Sequence, residues 1–419
     1  MSISDSTRWS SALDRGLFSM KGNWICGIDI GSSKIAGVVG RTKGETLSIF
    51  GTASVDAAGI TQGVVSDLGE ASSAVKELVD RLEFQTKLRL EGALVAIQGS
   101  HLECVSVQGN DLVSEKGREI TPREVRRALQ AAQSVSLPMN RRVIHALLQG
   151  YVVDGQEGIR NPIGMYATRF RVHLKVITGA SSLIQNAVTC VHRAGLEAEG
   201  VVFSGYATAL AVLEREERNF GCGLLEIGEG MSTFLAFRGG GVTHLKVFPI
   251  GGGLITQRIA EHFQIPLLEA ETLKKQVGSL VLTSSAEDHE FLVHDGSRQK
   301  VVRRAELCEV IRGAVEKLLQ TFKKEVKELP SPNATLVLSG GTSLLEGVVE
   351  EANHFFQCRT RLGEIQDTHS ARPLPLPFAT SVGLLRYGYE KQKEERELLP
   401  ESTIGKVYAK VKELFLDYF

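Results

Sequence analysis

One pattern constrains this chain more than any other, because it occurs twice. Gly27-Ile28-Asp29-Ile30-Gly31-Ser32-Ser33 sets an acid, then Ile-Gly, then a small polar turn between two apolar runs, Trp24 to Ile30 and Ile35 to Gly40. Leu224-Leu225-Glu226-Ile227-Gly228-Glu229-Gly230 repeats the arrangement about half a chain later and leads into Phe234 to Phe237. Short apolar runs around such a turn read as paired strands. A unit repeated within one chain predicts two related halves facing each other. The turn also has a chemical use: its N–H groups and hydroxyls can cradle phosphate oxygens, while Asp29 holds magnesium through water. Lys34 adds a positive charge within reach of the phosphates. One glycine-containing hairpin is common, but two across a cleft make a phosphate clamp. Ser339-Gly340-Gly341-Thr342, after the apolar run Thr335 to Leu338, is a third element, because two glycines let the backbone approach a ligand closely.

With 419 residues the chain has room for two to four subdomains. Strands are expected at Leu47–Ser54, Leu94–Ile97 and Val172–Thr178, and helices at Asp67–Leu82, Ser182–Ala194 and Ser204–Arg215. Thr121-Pro122-Arg123-Glu124 is a helix start, with Thr as N-cap, Pro in the first position and Glu in the third. The charged region 254–329 reads as helical, and a last body helix is expected near Ala379–Tyr389. A net charge of −1 excludes a general nucleic-acid binder. The six cysteines form no CxxC pair and the histidines no HExxH spacing, which argues against a disulfide framework or a zinc site; Cys190 and His192 read as structural. No apolar run reaches the ~20 residues that span a bilayer. Residues 1–23 lack a signal-peptide core and read as a disordered extension. Membrane contact, if made, is therefore peripheral.

A candidate for that contact ends the chain. After a charged linker over 390–402, Ile404, Val407, Tyr408, Val411, Leu414, Phe415 and Tyr418 recur at three- and four-residue steps, with Lys406, Lys410, Lys412 and Glu413 elsewhere. This predicts an amphipathic membrane-targeting helix over 403–419. The same pattern would serve a helix docked on the protein's own body or on a partner, but the linker favours the membrane. Seven apolar side chains at ~1.5–3 kcal/mol each give at most ~10–15 kcal/mol, which partial burial and helix ordering reduce heavily. One copy should bind reversibly, and an array of copies firmly.

The two hairpins and the Gly-Gly turn resemble the phosphate and adenosine motifs of the actin, sugar-kinase and heat-shock chaperone superfamily. Within it the chain resembles the FtsA family of bacterial cell division proteins, from about Trp24 to the C-terminus. Arg142-Val143-Ile144-His145, Gln156 to Gly164 and Phe378 to Leu385 carry the closer likeness. The resemblance implies an α/β, actin-like fold with duplicated ribonuclease-H-like halves. It divides the chain into subdomain 1A (24–90 plus 174–218), the family-specific inserted subdomain 1C (91–173), 2A (219–253 plus 335–389) and 2B (254–334). It implies ATP and Mg2+ as cofactors. Asp29, Gly31, Ser32, Ser33, Lys34, Glu226, Gly228 and Gly230 would contact phosphates and, through Asp29 and Glu226, the metal. Glu271 and Lys274 would lie near ribose and adenine, and Gly340, Gly341 and Thr342 would line the adenosine pocket. The implied role is an adaptor that polymerises and holds FtsZ filaments to the cytoplasmic face of the inner membrane at the division site. Its implied partners are the FtsZ C-terminal peptide, further copies of itself, inner-membrane lipid and later division proteins.

The chain departs from this family in places. The second hairpin reads Glu226-Ile227-Gly228-Glu229-Gly230-Met231 where the family has Asp-Ile-Gly-Gly-Gly-Thr. Met231 lacks a hydroxyl for phosphate, and Glu229 adds a carboxylate. Two unit charges ~5 Å apart at an effective dielectric of ~20 repel by about 3 kcal/mol, roughly a hundredfold in affinity. Glu229 facing the phosphates and Glu229 facing solvent are both compatible with the sequence. Weak nucleotide binding with slow or absent turnover is the expectation, and no catalytic residue is assigned. Where the family commonly has a Glu-Pro-Arg stretch for the FtsZ tail, this chain has Ile311-Arg312-Gly313-Ala314. Arg303, Arg304 and Arg312 either supply that charge or form a solvated helix face. Two other functions fit the fold. A related pilus-assembly adaptor should lack the terminal helix, and a small-molecule kinase would need a carboxylate base that the sequence does not offer.

Overall fold

The computed structural model describes residues 24–398, apart from 114–115, 134–137, 160, 283–288, 296–297, 330, 332 and 367–372. The expected disordered extension over 1–23 and the membrane helix over 403–419 lie outside the described residues. Strands β1 (Trp24–Ile30), β2 (Lys34–Lys43) and β3 (Thr46–Asp56) form an antiparallel meander. Helix α1 (Leu68–Thr86) begins at Asp67, whose carboxylate accepts the N–H groups of Gly69 and Glu70, an N-cap that satisfies two otherwise orphaned donors. It crosses to β4 (Gly92–Ile97), which lies parallel beside β1.

The chain then builds a second sheet from β5 (Glu103–Leu112), β6 (Arg141–Val153), β7 (Gln156–Ile159) and β8 (Arg169–Ala180). Its order is β7-β6-β8-β5, all antiparallel. Helix α2 (Pro122–Gln133) covers one face, joining Val125, Ala128 and Leu129 to Val107, Val172 and Leu174 in a separate core. The inserted subdomain expected over 91–173 is thus displaced. Gly92–Ile97 is hydrogen-bonded into the first half's sheet, and the inserted sheet runs on to Ala180. A fully apolar strand buried on both faces carries no mark of which sheet owns it.

Helix α3 (Ser181–Arg193) and β9 (Glu197–Phe203), parallel to β4, complete the first half with sheet order β9-β4-β1-β2-β3. Helices α4 (Ser204–Val212) and α5 (Arg215–Phe220) follow, so the helix expected over Ser204–Arg215 breaks at Leu213. In the second half β10 (Cys222–Ile227), β11 (Ser232–Arg238) and β12 (Gly241–Phe248) are again an antiparallel meander. Helices α6 (Gly253–Phe263) and α7 (Leu267–Val277) come next. The hairpin β13 (Glu290–Asp295) and β14 (Arg298–Arg303) then interrupts the region expected to be helical throughout. Val293 and Val302 bury one face of this hairpin, but the pair Leu292 and Val301 on the other face is apolar and exposed, so no clean two-residue alternation marks it in the sequence. Helix α8 (Arg304–Val326), β15 (Thr335–Ser339), α9 (Val348–Phe356) and β16 (Thr360–Leu362) give sheet order β12-β11-β10-β15-β16, the topology of the first half repeated.

Helix α10 (Ala379–Leu398) closes the described chain and extends through most of the stretch expected to be a linker from 390. Its apolar side packs on the first half: Leu384 lies against Gly27, and Leu385 against Gly40. Helix α4 does the converse, with Gly205 against Thr233 and Val212 against Gly363. Each half therefore ends in a helix that packs on the other half, so 335–389 does not belong wholly to the second. The segment Arg142–His145 ties the insertion to this crossing. His145 Nε2 accepts the Phe203 N–H at 3.0 Å, and the ring lies 5.2 Å from Tyr206 of α4 and 5.7 Å from Tyr387 of α10. Burial, aided by Lys391, pushes its pKa down to about 3, which keeps the ring neutral and able to accept.

Candidate nucleotide cleft

The two hairpin turns have the same backbone construction. Gly31 N–H donates to Lys34 O at 3.1 Å, and Gly228 N–H donates to Met231 O at 2.9 Å. Met231 therefore occupies the position of Lys34, and Glu229 that of Ser32. The turns approach closely, since a side chain at Gly230 would begin 3.3 Å from Ser32 Oγ. Between them lies a cleft of about 580 Å³, and every nucleotide-site residue anticipated from the sequence lines it. Asp29, Gly31, Ser32, Ser33 and Lys34 form one wall, and Glu226, Gly228 and Gly230 the facing one. Gly340, Gly341 and Thr342 close a third side, and Glu271 and Lys274 a fourth.

Strand pairing explains why the Gly-Gly turn joins the second hairpin: Ser339 of β15 lies beside Glu226 of β10. Gly340 has φ +86°, and a Cβ there would fall 2.4 Å from Ile227 O, so this glycine serves packing. Gly341 differs, because a Cβ there meets nothing within 4 Å. Thr342 Oγ1 donates to Gly228 O at 3.3 Å. The turn continues as a short 3-10 segment, Gly341–Leu344, ahead of α9.

Glu226 is buried and Asp29 half-buried at the base of the cleft. Burial raises Asp29 to about 6, against opposing effects of Lys34 and a hydrogen bond from Thr380. Burial and then the charge of Asp29 raise Glu226 to about 7. Glu226 Oε1 accepts from Thr208 at 2.8 Å and from Thr380 at 3.4 Å, while Oε2 is buried without a hydrogen-bond partner among the described residues. An orphaned carboxylate oxygen beside a second, half-buried carboxylate fits a divalent cation, which would neutralise both. Among the described residues no group of three or more His, Cys, Asp or Glu could hold a metal. Two carboxylates plus ligand phosphates and water match the way Mg2+ is usually held.

The raised pKa values predict a pH effect of definite sign. An acid whose folded pKa exceeds its unfolded value favours folding at low pH, and that contribution is lost as pH rises through the folded pKa. Without divalent cation or nucleotide, the pair's contribution to stability should therefore fall as pH rises through about 6 and about 7. Glu226→Gln should flatten this fall and melt above the parent at pH 8. Thermal denaturation from pH 5 to 8 checks it, and a melting profile unchanged by the substitution would count against the paired-carboxylate description.

Lys34 does not point freely into the cleft. Its Nζ donates to Pro377 O at 2.5 Å and sits 5.3 Å from the Phe378 ring centre, while burial lowers its pKa. Lys274 is also engaged, 2.6 Å from Glu271 Oε2, 2.7 Å from Thr256 Oγ1 and 3.1 Å from Gly252 O. These bonds fasten α7 to the start of α6. Glu229 turns to the same place: a Cβ on Gly253 would lie 2.8 Å from Glu229 Oε1, and the Glu229 charge acts on Lys274. Its carboxylate thus lies in the cleft wall at the positive end of α6, where it draws on the potential that a phosphate would use.

Several residues escaped the sequence reading. Thr208 and Thr380 reach Glu226 from two helices, and single threonines in apolar helices give no sign of such a role. Gly251-Gly252-Gly253 also escaped the sequence reading, although three glycines between an apolar strand and a helix are a signal that could have found them. Gly252 lets Thr342 approach, since a Cβ there would fall 2.3 Å from Thr342 Oγ1.

Comparison with known proteins places this geometry. The family profile described as "SHS2 domain inserted in FTSA" matches residues 99–178, and that described as "Cell division protein FtsA" matches residues 223–383. The Cell division protein FtsA of Pseudomonas aeruginosa is 32% identical over 382 residues, covering 89% of this chain and 91% of the relative. That of Escherichia coli K12 is 30% identical over 381 residues, covering 87% and 90%. Among solved structures, a chain of the PilM–PilN type IV pilus biogenesis complex superposes with TM-score 0.62 at 16% identity, covering 87% of this chain and 98% of that one. MreB5 of Spiroplasma citri bound to ADP superposes with TM-score 0.52 at 13% identity, covering 90% and 99%. At these identities the structures establish an actin-like fold and nothing narrower. The sequence relatives are more specific, because their likeness runs through both halves and the insertion together. This chain belongs to the FtsA family of cell division proteins.

Proposed function

We propose that this protein is an actin-like adaptor of cell division that binds ATP with Mg2+, polymerises, and anchors FtsZ filaments to the cytoplasmic face of the inner membrane. The observation that carries the nucleotide part is the convergence of four separate stretches on one cleft with two neighbouring carboxylates, Glu226 buried and Asp29 half-buried, at its base. Asp29 and Glu226 hold the cation, the two turns hold the phosphates, and Glu271, Lys274, Gly340, Gly341 and Thr342 border the nucleoside. The MreB5 structure contains ADP in the same fold, which supports a nucleotide here. Because Glu229 occupies positive potential in the cleft wall, binding is weak and turnover slow. The FtsZ C-terminal peptide, further copies of the chain and later division proteins are its partners.

The membrane part rests on the stripe Ile404, Val407, Tyr408, Val411, Leu414, Phe415 and Tyr418. The apolar residues of the segment recur on one face with Lys406, Lys410, Lys412 and Glu413 elsewhere, a pattern that suits peripheral attachment in the interface. A chain ending at Glu401 should stop co-sedimenting with anionic vesicles while retaining its fold by circular dichroism. Undiminished co-sedimentation would place the tether elsewhere. Calorimetric titration with ATP, with and without Mg2+, tests the cleft, and binding unaffected by Mg2+ would remove the carboxylate pair from the reading.

A further inference from the structure

Helix α10 starts at the cleft and ends over the β2–β3 turn. There Gln392 Oε1 lies 3.5 Å from Thr42 Oγ1, and Lys393 Nζ lies 3.8 Å from Glu45 Oε1. The residues beyond Leu398, including the 403–419 segment, continue from this end of the molecule. Beside it, the register between β2 and β3 slips: Val39 pairs with Gly51 and Gly40 with Ile49, leaving Phe50 as the extra residue of a β-bulge. Bulges re-aim side chains, and this one turns Phe50 outward to 49% exposure. The Phe50 ring meets Trp24 edge-on at 4.7 Å, and the Arg41 guanidinium sits 5.2 Å over Trp24. Exposed Lys43 belongs to the same strand end. Next to the bulge, the Thr52 N–H donates to Gln85, bringing the end of α1 to this edge. That end carries a second outward ring, Phe84 at 76% exposure, with Lys87 Nζ 3.9 Å from its centre. Exposed acids border the surface as well: Glu45, Asp80 one helical turn before Phe84, and Glu390 of α10.

Exposed aromatic rings with cationic side chains stacked on them suit the boundary between anionic headgroups and acyl chains. A protein partner would also accept apolar rings, but the surface lies where the membrane-targeting segment leaves the body. We propose that this edge, Trp24, Arg41, Lys43, Phe50 and Lys393 with Phe84 and Lys87 flanking, rests directly on an anionic lipid surface. It acts as a second contact that fixes how the body is oriented once the terminal segment inserts. The inference rests on the membrane-anchor reading, which supplies the attachment. The two contacts then act as a bivalent pair, so that each raises the effective concentration of the other.

The test uses the full chain with Trp9→Phe, which leaves Trp24 as the sole tryptophan of the two in the sequence. Vesicles carry phosphatidylglycerol and phosphatidylcholine, with or without acyl chains brominated near the headgroup. The expected result is quenching of Trp24 fluorescence by brominated lipid, together with affinity for anionic vesicles weakened about five- to tenfold by Phe50→Ser, the loss expected for one partly inserted ring. Vesicle binding without quenching, and with Phe50→Ser unchanged, overturns the proposal but leaves the terminal anchor standing. Quenching that persists in a chain ending at Glu401 supports the edge and overturns the terminal anchor. Loss of solution self-assembly in Phe50→Ser with no quenching assigns the edge to chain–chain contact and also overturns the proposal. No vesicle binding by any form overturns both. Melting curves of each variant exclude loss of fold as the cause.

Discussion

Replacing Glu229 by glycine should tighten Mg-ATP binding by roughly ten- to a hundredfold, up to the ~3 kcal/mol of charge repulsion that one misplaced carboxylate can impose. The structure sharpens the two placements that the sequence left open. Glu229 is neither aimed across the turn nor released to solvent. It is folded back against the start of α6, near Lys274, and still lines the cleft. Removing it frees the positive end of that helix and the Lys274 charge for phosphate. Glycine suits the position because the matching residue of the first hairpin, Ser32, is also small. Glu229→Gln separates charge from bulk: if repulsion dominates, glutamine should recover most of the gain. Isothermal titration of both variants decides, and an affinity equal to the parent's would show that the carboxylate does not oppose nucleotide.

The second large effect concerns the crossing of α4 and α10. Glycine inside a helix normally costs about 0.5–1 kcal/mol relative to alanine, so Gly→Ala there should stabilise. At Gly383 the sign should reverse, because an added Cβ would fall 1.7 Å from Ala207 O, a backbone atom that cannot swing aside. Gly383→Ala should destabilise by about 3 kcal/mol or more, at or beyond the upper end of overpacking effects. It should also weaken nucleotide binding, because the same two helices carry Thr208 and Thr380, which bond Glu226 at the base of the cleft. Gly313 in α8 is the matched control: a Cβ there meets nothing within 4 Å, so Gly313→Ala should be neutral or slightly stabilising. Urea denaturation of both variants gives the comparison, and equal stabilities would refute the close helix contact.

Sequence pattern and structure agree best where local chemistry determines the outcome. The two hairpins were legible because a tight turn between apolar strands needs Gly and small polar residues, and the repeat then implied duplicated halves. The amphipathic spacing over Asp67–Leu82 marked α1, though not the Asp67 cap that starts it. The inserted subdomain's edges were not legible, since Gly92–Ile97 is apolar on both faces wherever it pairs. The helical continuation of α10 beyond Tyr389 was hidden because a strongly charged helix lacks an apolar stripe to announce it. In the cleft, glycines and paired acids advertised themselves. The threonines that orient Glu226, and the Pro377 carbonyl that holds Lys34, are tertiary contacts with no local signature. The likeness in Phe378–Leu385 now has a physical cause, as this stretch supplies Phe378 over Lys34, Thr380 beneath Glu226 and Gly383 at the helix crossing.

In the proposed function one chain joins a nucleotide cleft, a membrane segment and a cytoskeletal partner. Flotation of vesicles with a fluorescent FtsZ C-terminal peptide, in the presence of Mg-ATP, tests it most directly. The account predicts that the peptide floats with anionic vesicles when the full chain is present and stays at the bottom with a chain ending at Glu401. Glu226→Ala, by weakening nucleotide retention and assembly, should lower the floated fraction. A peptide that remains in solution beside vesicle-bound full chain, or that floats equally well with the shortened chain, would contradict it.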